Sequence, residues 1–497
     1  MAAGLAVGPA LGGWARLSYH EAIVAQGARE ILDRGDWLVP TVGGRPWLEK
    51  PPMAHWLVAA AGAAIGRIDE GVARLPSAVS AIALALIVGR LVAHRRGPAA
   101  GALAGLVQAT AGWAVVRGRL ADADLLLAAL VAATLMAFDA ARRGGRGARW
   151  AFFAALGATS LAKGLGFGGA IVVAVVIVVL IWDRRSAMVR RLAHPAGWAL
   201  AAAIGLAWPL AVLARHPEAL GLWSSHVADR LADRPAQFVG EPTWRFALSP
   251  LALAMPWTPL ALIGMRASWR RAWRRPGGLD RLLWAWAVAP WALLMFATVK
   301  NDHYLIHALP PWSIWAAGGL IAVARRLRRA RGGTAAGARV RAGGLAMMVA
   351  GAWGLGFATL GPGLDRRGAE WSWYAEAARS LRPGEPVAFL YDDWDRRPYP
   401  TPFGPVPHDL AVRLFYLGRP ASWSDDPATL PLPAAGALAV IGRDRDRPAL
   451  ERLGRVEVVA EGPPVRRDRT YRLFRVEVAP VVTILETQGE DEGRSRR

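Results

Sequence analysis

The chain of 497 residues contains no cysteine. Disulfides are excluded, and so are thiolate metal sites, so a bound metal would have to be held by histidine and carboxylates. Lysine is nearly missing as well. Of 60 basic residues only Lys50, Lys163 and Lys300 are lysines, and the other 57 (60 minus 3) are arginine. Acidic residues number 38, which leaves a formal net charge of +22. In a soluble protein such an excess points to nucleic acid. Here the arginines stand in blocks between apolar runs, the pattern of cytoplasmic loops that hold a membrane topology. No nucleic-acid partner is expected.

Apolar sequence is what the chain has in abundance. Hydrophobic residues make up 54%, mean hydropathy is +0.24, and there are 24 tryptophans. Runs long enough to cross a bilayer, which takes roughly 20 residues each, recur along it. The expected fold class is a polytopic α-helical membrane protein with about eleven crossings. Residues 1–360 form the transmembrane domain, with a first outer loop at about residues 14–71. The spans are expected at Val72 to Ala93, Pro98 to Val116, Leu125 to Ala141, Trp150 to Leu161, Phe167 to Trp182, Pro195 to Ala214, Phe246 to Met265, Leu282 to Val299, Leu305 to Val323 and Gly343 to Leu360, with a short start at Met1 to Gly13. Met53 to Ile65 reads as a helix lying at the interface. Residues 361–497 read as a small α/β domain, because strand patterns alternate there with short helices. Its charged tail, 487–497, reads as disordered. The alternating arginine blocks put the first loop and the C-terminal domain outside the cytoplasm.

With that orientation the ionisable residues sort to one face. His20, Glu21, Glu49, Lys50, Asp122, Asp124, Lys163, His226, Lys300 and His303 all fall in outer loops or at outer ends of spans. All three lysines are among them. Pro51-Pro52 stiffens the chain behind Glu49-Lys50 and pushes Lys50 into an extended conformation. Lysine suits a point-charge contact to phosphate, and carboxylates can take a proton or hold a metal. Each residue also has an ordinary reading. Asp122 and Asp124 stand where a helix N-cap belongs, Lys163 and Lys300 suit snorkelling end charges, and His226 and His303 suit interfacial histidines.

The motifs Tyr19-His-Glu-Ala, Gly35-Asp-Trp-Leu-Val-Pro40 and Trp47-Leu-Glu-Lys-Pro-Pro52 together resemble the first outer loop of the C-type membrane glycosyltransferases. That family includes the bacterial aminoarabinose transferases and protein O-mannosyltransferases. Arg119-Leu-Ala-Asp-Ala-Asp124, Leu161-Ala-Lys-Gly164, Ser225-His226 and Lys300-Asn-Asp-His-Tyr304 resemble its later motifs, in the same order. The resemblance implies transfer of a sugar from a polyprenyl-phosphate donor to a hydroxyl of a lipid or protein acceptor, on the outer face of a bacterial plasma membrane. By the same resemblance Lys50 and Lys163 contact the lipid phosphate, with Lys300, His303 and Tyr304 close by. Glu49 and His226 are the implied pair for a divalent metal, and Asp124 orients donor or acceptor. No nucleotide or organic cofactor is implied. The family usually has Asp-Glu where this chain has His20-Glu21, so the expected proton acceptor becomes His20 or Glu21. Two other classes fit the topology. A transporter would carry its ionisable residues near mid-bilayer in two related halves. A non-catalytic glycolipid-handling protein would not require clustered acid, base and lysine.

The topology is testable directly. Reporter fusions after Arg96, Arg146, Arg191, Arg275 and Arg331 are expected to report cytoplasm, and a fusion after Arg379 the outside. A cytoplasmic signal at Arg379 would overturn the placement of the active face.

Overall fold

A computed structural model describes the chain apart from residues 185–190, 232–240, 298, 332–333, 366–367, 392–405, 408, 434–435, 467–468 and 479–497. The expected disordered tail therefore lies outside the described residues. The chain divides into a helical unit, essentially residues 1–368, and a smaller unit from Ala369 onward.

The helical unit opens with α1 (Ala2–Val7), shorter than the apolar run that contains it. In the interval at about residues 14–71 the expected helix Met53–Ile65 is present, and further elements precede it. The interval comprises α2 (Tyr19–Arg34), a hairpin of β1 (Thr41–Val42) and β2 (Arg45–Pro46), and α3 (Met53–Ile65). Helix α2 starts on a capping box: Ser18 Oγ accepts from the Glu21 amide, and Glu21 accepts from the Ser18 amide at 2.9 Å. It stops at Gly35, which takes the left-handed conformation (φ 71°) that side-chain-bearing residues avoid. The hairpin turns on Gly43 and Gly44, both at positive φ as a two-residue loop requires. The buried Glu30 carboxylate grips that turn, accepting from the Gly43 and Gly44 amides at 2.7 and 3.0 Å and from Thr41 Oγ1 at 2.5 Å.

Next come α4 (Glu70–Arg96), α5 (Pro98–Thr110), α6 (Gly112–Arg117), α7 (Asp124–Arg142), α8 (Ala148–Ala162) and α9 (Phe167–Asp183). Helix α4 is capped by Asp69, and α5 begins on Pro98, where a missing N–H costs nothing. The single span expected over Pro98 to Val116 is broken between α5 and α6. Ala111 is extended, and the Gly112 amide donates to the Met255 carbonyl at 2.6 Å. A Cβ on Gly112 would lie 3.0 Å from that oxygen, so glycine permits the approach.

Five helices among the described residues are long and apolar enough to cross a membrane: Glu70–Arg96, Asp124–Arg142, Pro195–Arg215, Asp302–Ala330 and Val340–Thr359. The pair Thr243–Leu253 and Thr258–Arg274, bent by 92°, makes six if counted as one span. This is below the expected count because α5, α8, α9 and the helix Leu279–Met295 have only 13 to 17 residues each. Outward-facing apolar side chains such as Leu86, Ile177, Ile181, Leu206, Leu210, Met348 and Leu355 are exposed, a surface suited to lipid. The protein is a membrane protein.

Sequence reading places the arginine block 266–275 in a loop, but helix Thr258–Arg274 runs through it. Several block arginines are not solvated charges. Asp139 accepts from Arg142 at 2.6 Å, and Asp183 accepts from Arg142 and Arg281 at 3.0 and 2.9 Å. Asp280 accepts from Arg96 at 2.7 Å and from Arg271 at 3.0 Å.

The smaller unit carries a five-stranded sheet in the order β4-β3-β5-β7-β6, where β3 is Val387–Leu390, β4 Ser422–Ser424, β5 Gly436–Arg443, β6 Arg455–Arg466 and β7 Arg469–Val478. Strand β3 runs parallel to β4 and β5, while β7 is antiparallel to β5 and β6. Ala388, Leu390, Leu438, Val440, Phe474 and Val476 form its core. The sequence pattern places β3, β5 and β7 and misses β4 and β6.

Glu21 ties the helical unit together. Its carboxylate accepts from Arg74 Nε at 2.8 Å and from the Ala121 amide at 3.1 Å, and both side chains are buried. Arg74→Met would strand that carboxylate, and a loss of about 3–5 kcal/mol is expected. Thermal unfolding in detergent measures it, with the exposed Arg67→Ala as a control expected within about 1 kcal/mol. Equal effects of the two changes would contradict the buried pair.

Candidate active site

The turn between α6 and α7 folds so that Arg117, Asp122 and Asp124 share one face. The amide of Asp122 donates to the Leu120 carbonyl at 2.9 Å, and Asp122 Oδ1 accepts from the Asp124 amide at 2.9 Å. Ser77 of α4 braces the turn, its Oγ donating to the Asp122 carbonyl at 2.9 Å. Glu21 braces it from α2 through Ala121.

Asp124 is only 1% exposed, and its carboxylate is shared between Lys163 and Arg117. It does not cap α7: the position before it is Ala123, and no side chain makes the cap. Lys163 arrives from the end of α8, where the chain leaves the helix in an extended conformation ahead of Gly164 (φ 63°). Arg117 also donates to Asp122 at 2.9 Å. The rim of the cluster stays open: Arg117, Lys163 and Asp122 side chains are 17%, 16% and 19% exposed. Burial first, and then the neighbouring Asp124 charge, raise the proton affinity of Asp122 above that of an ordinary aspartate.

The 3-10 turn Asp302–Ala308 closes the cluster from the other side. Lys163 Nζ lies 5.2 Å from the centre of the Tyr304 ring, and Tyr304 packs against His303 and Phe167. His303 is within electrostatic reach of Asp124, Lys163, Arg117 and Lys50. Asp124, Lys163, His303 and Tyr304 are thus brought together as expected from their motifs, with Lys50 near.

Lys50 sits on the segment that the hairpin and two tryptophans position. Trp223 Nε1 donates to the Leu48 carbonyl at 2.8 Å, and Trp208 Nε1 to the Leu38 carbonyl at 2.9 Å. Leu48 is buried with Val39, Trp208, Val212 and Leu222. Lys50 has no hydrogen bond or ion pair among the described residues, and Glu49 Oε2 is buried without a hydrogen-bond partner. A buried carboxylate oxygen left open in this way fits a cation ligand. The side chain of His226 lies outside the described residues, so the implied metal pair is seen from the Glu49 side alone. No group of three or more metal-type ligands occurs among the described residues.

Other expected site residues stand elsewhere. Glu21 is committed to Ser18, Arg74 and Ala121, which makes it a positioning residue and corrects its reading as a free base. His20 is exposed at the start of α2, with its ring 3.8 Å from that of Tyr19. Lys300 Nζ donates to the Ala297 carbonyl at 2.6 Å, away from the Asp124 contacts among the described residues. The residue that motif reading did not single out is Arg117. Its signal was available, a cation seven residues ahead of Asp124 at the end of an apolar run.

Residues 49–213 match the family of dolichyl-phosphate-mannose-protein mannosyltransferases. The undecaprenyl phosphate-alpha-4-amino-4-deoxy-L-arabinose arabinosyl transferase of Pseudomonas savastanoi pv. phaseolicola is 29% identical over 314 residues, 60% of this chain and 56% of the relative. That of Pseudomonas aeruginosa PAO1 is 30% identical over 318 residues, 61% of this chain and 55% of the relative. The chain spans about half the length of the curated relatives it matches. In structure, it superposes on ArnT from Cupriavidus metallidurans in the apo state with a TM-score of 0.70, covering 93% of this chain and 94% of the other at 20% identity. The fold is the one seen in that solved structure. An oligosaccharyltransferase of Archaeoglobus fulgidus shares it more distantly, with a TM-score of 0.52 at 14% identity over 82% of this chain and 61% of the other.

Asp124 and Lys163 form a direct ion pair, and a double-mutant cycle tests it. Asp124→Asn and Lys163→Met are each expected to lower thermal stability in detergent. The double variant is expected to recover about 1–3 kcal/mol relative to the sum. Simple additivity would contradict a direct pair.

Proposed function

We propose that this protein is a glycosyltransferase that moves a sugar from a polyprenyl-phosphate donor to a hydroxyl acceptor at the outer face of a bacterial plasma membrane. The observation that carries the reading is the open pair of cations, Lys163 and Arg117, held by the buried Asp124 with Lys50 close by. A polyprenyl phosphate brings negative charge to a membrane boundary, and these groups supply compact and forked positive charge to meet it. The likeness in sequence to aminoarabinose transferases, and in fold to ArnT, supports the same reading. So does the solved complex of ArnT from Cupriavidus metallidurans with undecaprenyl phosphate, which this chain matches with a TM-score of 0.69.

In the proposed reaction the acceptor hydroxyl oxygen attacks the anomeric carbon. The bond from that carbon to the phosphate oxygen breaks, and its electron pair leaves on the polyprenyl phosphate. Lys50, Lys163 and Arg117 stabilise the charge gained by the departing phosphate, and each such preorganised cation contributes a few kcal/mol. Asp124 holds Lys163 and Arg117 in place. Tyr304 lines the cation from the other side. With Glu21 taken up by Arg74, His20 is the member of the first pair with an exposed ring able to accept the hydroxyl proton. Glu49 would be one ligand of a divalent metal, with His226 the proposed second, and such an ion would add positive charge for the phosphate oxygens. The first segment, the Asp122–Asp124 turn, the 3-10 turn and the unit from Ala369 onward are placed outside the cytoplasm on the strength of the arginine blocks.

Lys50 gives the sharpest test. Lys50→Arg keeps the charge but replaces a point ammonium with a planar fork, and a tenfold or greater loss of turnover is expected, on the order of one to two powers of ten. Lys50→Met is expected to lose nearly all turnover at close to normal abundance, since this side chain has no partner to lose among the described residues. Sugar transfer from a polyprenyl-phosphate donor by purified variants is the measurement. Wild-type turnover in Lys50→Met would remove the phosphate assignment.

A further inference from the structure

The charge balance of the cluster has a consequence for protons. Two carboxylates, Asp122 and Asp124, face two cations, Arg117 and Lys163, so the four groups are neutral together. The claims on the cations are unequal. Asp124 has both of them, whereas Asp122 has only a share of Arg117. The other bonds of Asp122 are to the Asp124 amide and, through its backbone, to Ser77 and the Leu120 carbonyl. Around it stand Arg117 on α6, Asp124 on α7, Lys163 at the end of α8 and Glu21 on α2, which acts on Arg117, with His303 and Lys50 beyond Asp124.

A phosphate that draws Arg117 and Lys163 toward itself withdraws the two positive charges that act most strongly to hold Asp122 ionised among the described residues. We propose that Asp122 is the proton store of this site: it takes up a proton when a dianionic phosphate occupies Arg117 and Lys163, and gives it back when the phosphate leaves. The reading rests on the proposed donor class and adds to it a residue outside the family-implied set.

The balance of the reaction calls for such a group. The donor is a phosphodiester with one negative charge, and the product is a phosphate monoester that carries two near neutral pH, its second ionisation lying near 6. As the new carbon–oxygen bond forms and the old one breaks, the acceptor hydroxyl loses its proton and the leaving phosphate gains one charge. A proton held on Asp122 keeps the buried cluster near neutrality while the product waits, which avoids the cost of an uncompensated charge. Burial and the Asp124 charge already bias Asp122 toward accepting it.

The sign of the pH dependence follows. The complex holds more protons than the free protein, so affinity for the product rises as pH falls, by at most tenfold per pH unit. The probe is a polyprenyl monophosphate titrated into the purified full chain by calorimetry. Buffers of different ionisation enthalpy count the protons, and pH 7.0 to 8.5 keeps the phosphate dianionic. Wild-type protein is expected to take up at least half a proton per lipid bound at pH 7.5. Asp122→Asn is expected to bind the lipid with no uptake and with a flat pH profile. A monoanionic polyprenyl phosphodiester is expected to give a smaller uptake in the wild type. Binding by wild type without proton uptake would overturn the assignment, whether or not the variant folds, as would an Asp122→Asn protein that still takes up the proton. Absence of any binding of the monophosphate would instead overturn the donor class on which the proposal rests.

Discussion

A carboxylate with 1% exposure at the head of a membrane helix is tenable only if cations come to it, and Asp124 has two. An isolated charge at that depth would cost several kcal/mol, so the positions of Lys163 and Arg117 are constrained as tightly as that of the carboxylate. Around this pair the rest of that end of the helical unit is arranged. Helix α8 stops at Ala162 so that Lys163 can turn back. Helix α6 ends on Arg117, and the turn after it is pinned by Ser77 and Glu21. Asp124 holds both cations, Arg117 reaches Asp122 as well, and both remain partly exposed, which is what a site for a transient anion requires.

Helix α7 links this site to a second charged cluster. Its 19 residues run from Asp124 to Arg142, roughly 27 Å, close to the thickness of a bilayer core. At the far end Asp139, Asp183 and Asp280 share arginines from several helices. The two ends differ in kind. The far cluster is built of arginines and aspartates paired with one another, and its forked guanidinium groups join helices. The near cluster includes lysine and leaves its cations accessible. This division gives the scarcity of lysine a physical meaning: Lys163, at least, stands where a compact charge is useful.

Much of this was legible in the sequence. The alternation of apolar runs and arginine blocks identifies a polytopic helical protein, and Glu49-Lys50-Pro51-Pro52 marks a stiff charged corner without any structure. Asp124, Lys163, His303 and Tyr304 were legible as separate motifs, and the fold brings them together. Partnership was not legible. Glu21 reads as a member of an acid/base pair, but its partner Arg74 lies 53 residues away and takes the carboxylate out of contention. The break between α5 and α6 was equally hidden, because it depends on a backbone bond from Gly112 to Met255. Hydropathy reports how apolar a stretch is, and it carries no information on which distant side chain will neutralise a given charge. Within residues 14–71 the sequence shows the helix Met53–Ile65 but not α2 or the hairpin, for a related reason. Its polar residues suggested solvent, whereas Glu30 and Glu21 spend their charges holding a hairpin and a helix in place.

The central claim is that the donor's phosphate leaves while its sugar moves to a hydroxyl. Mass spectrometry of a reaction containing purified protein, a polyprenyl-phosphate sugar and a hydroxyl acceptor counts both products at once. One polyprenyl phosphate is expected to be released for each sugar found on the acceptor. Donor that stays intact, or that crosses the membrane unchanged, would contradict it.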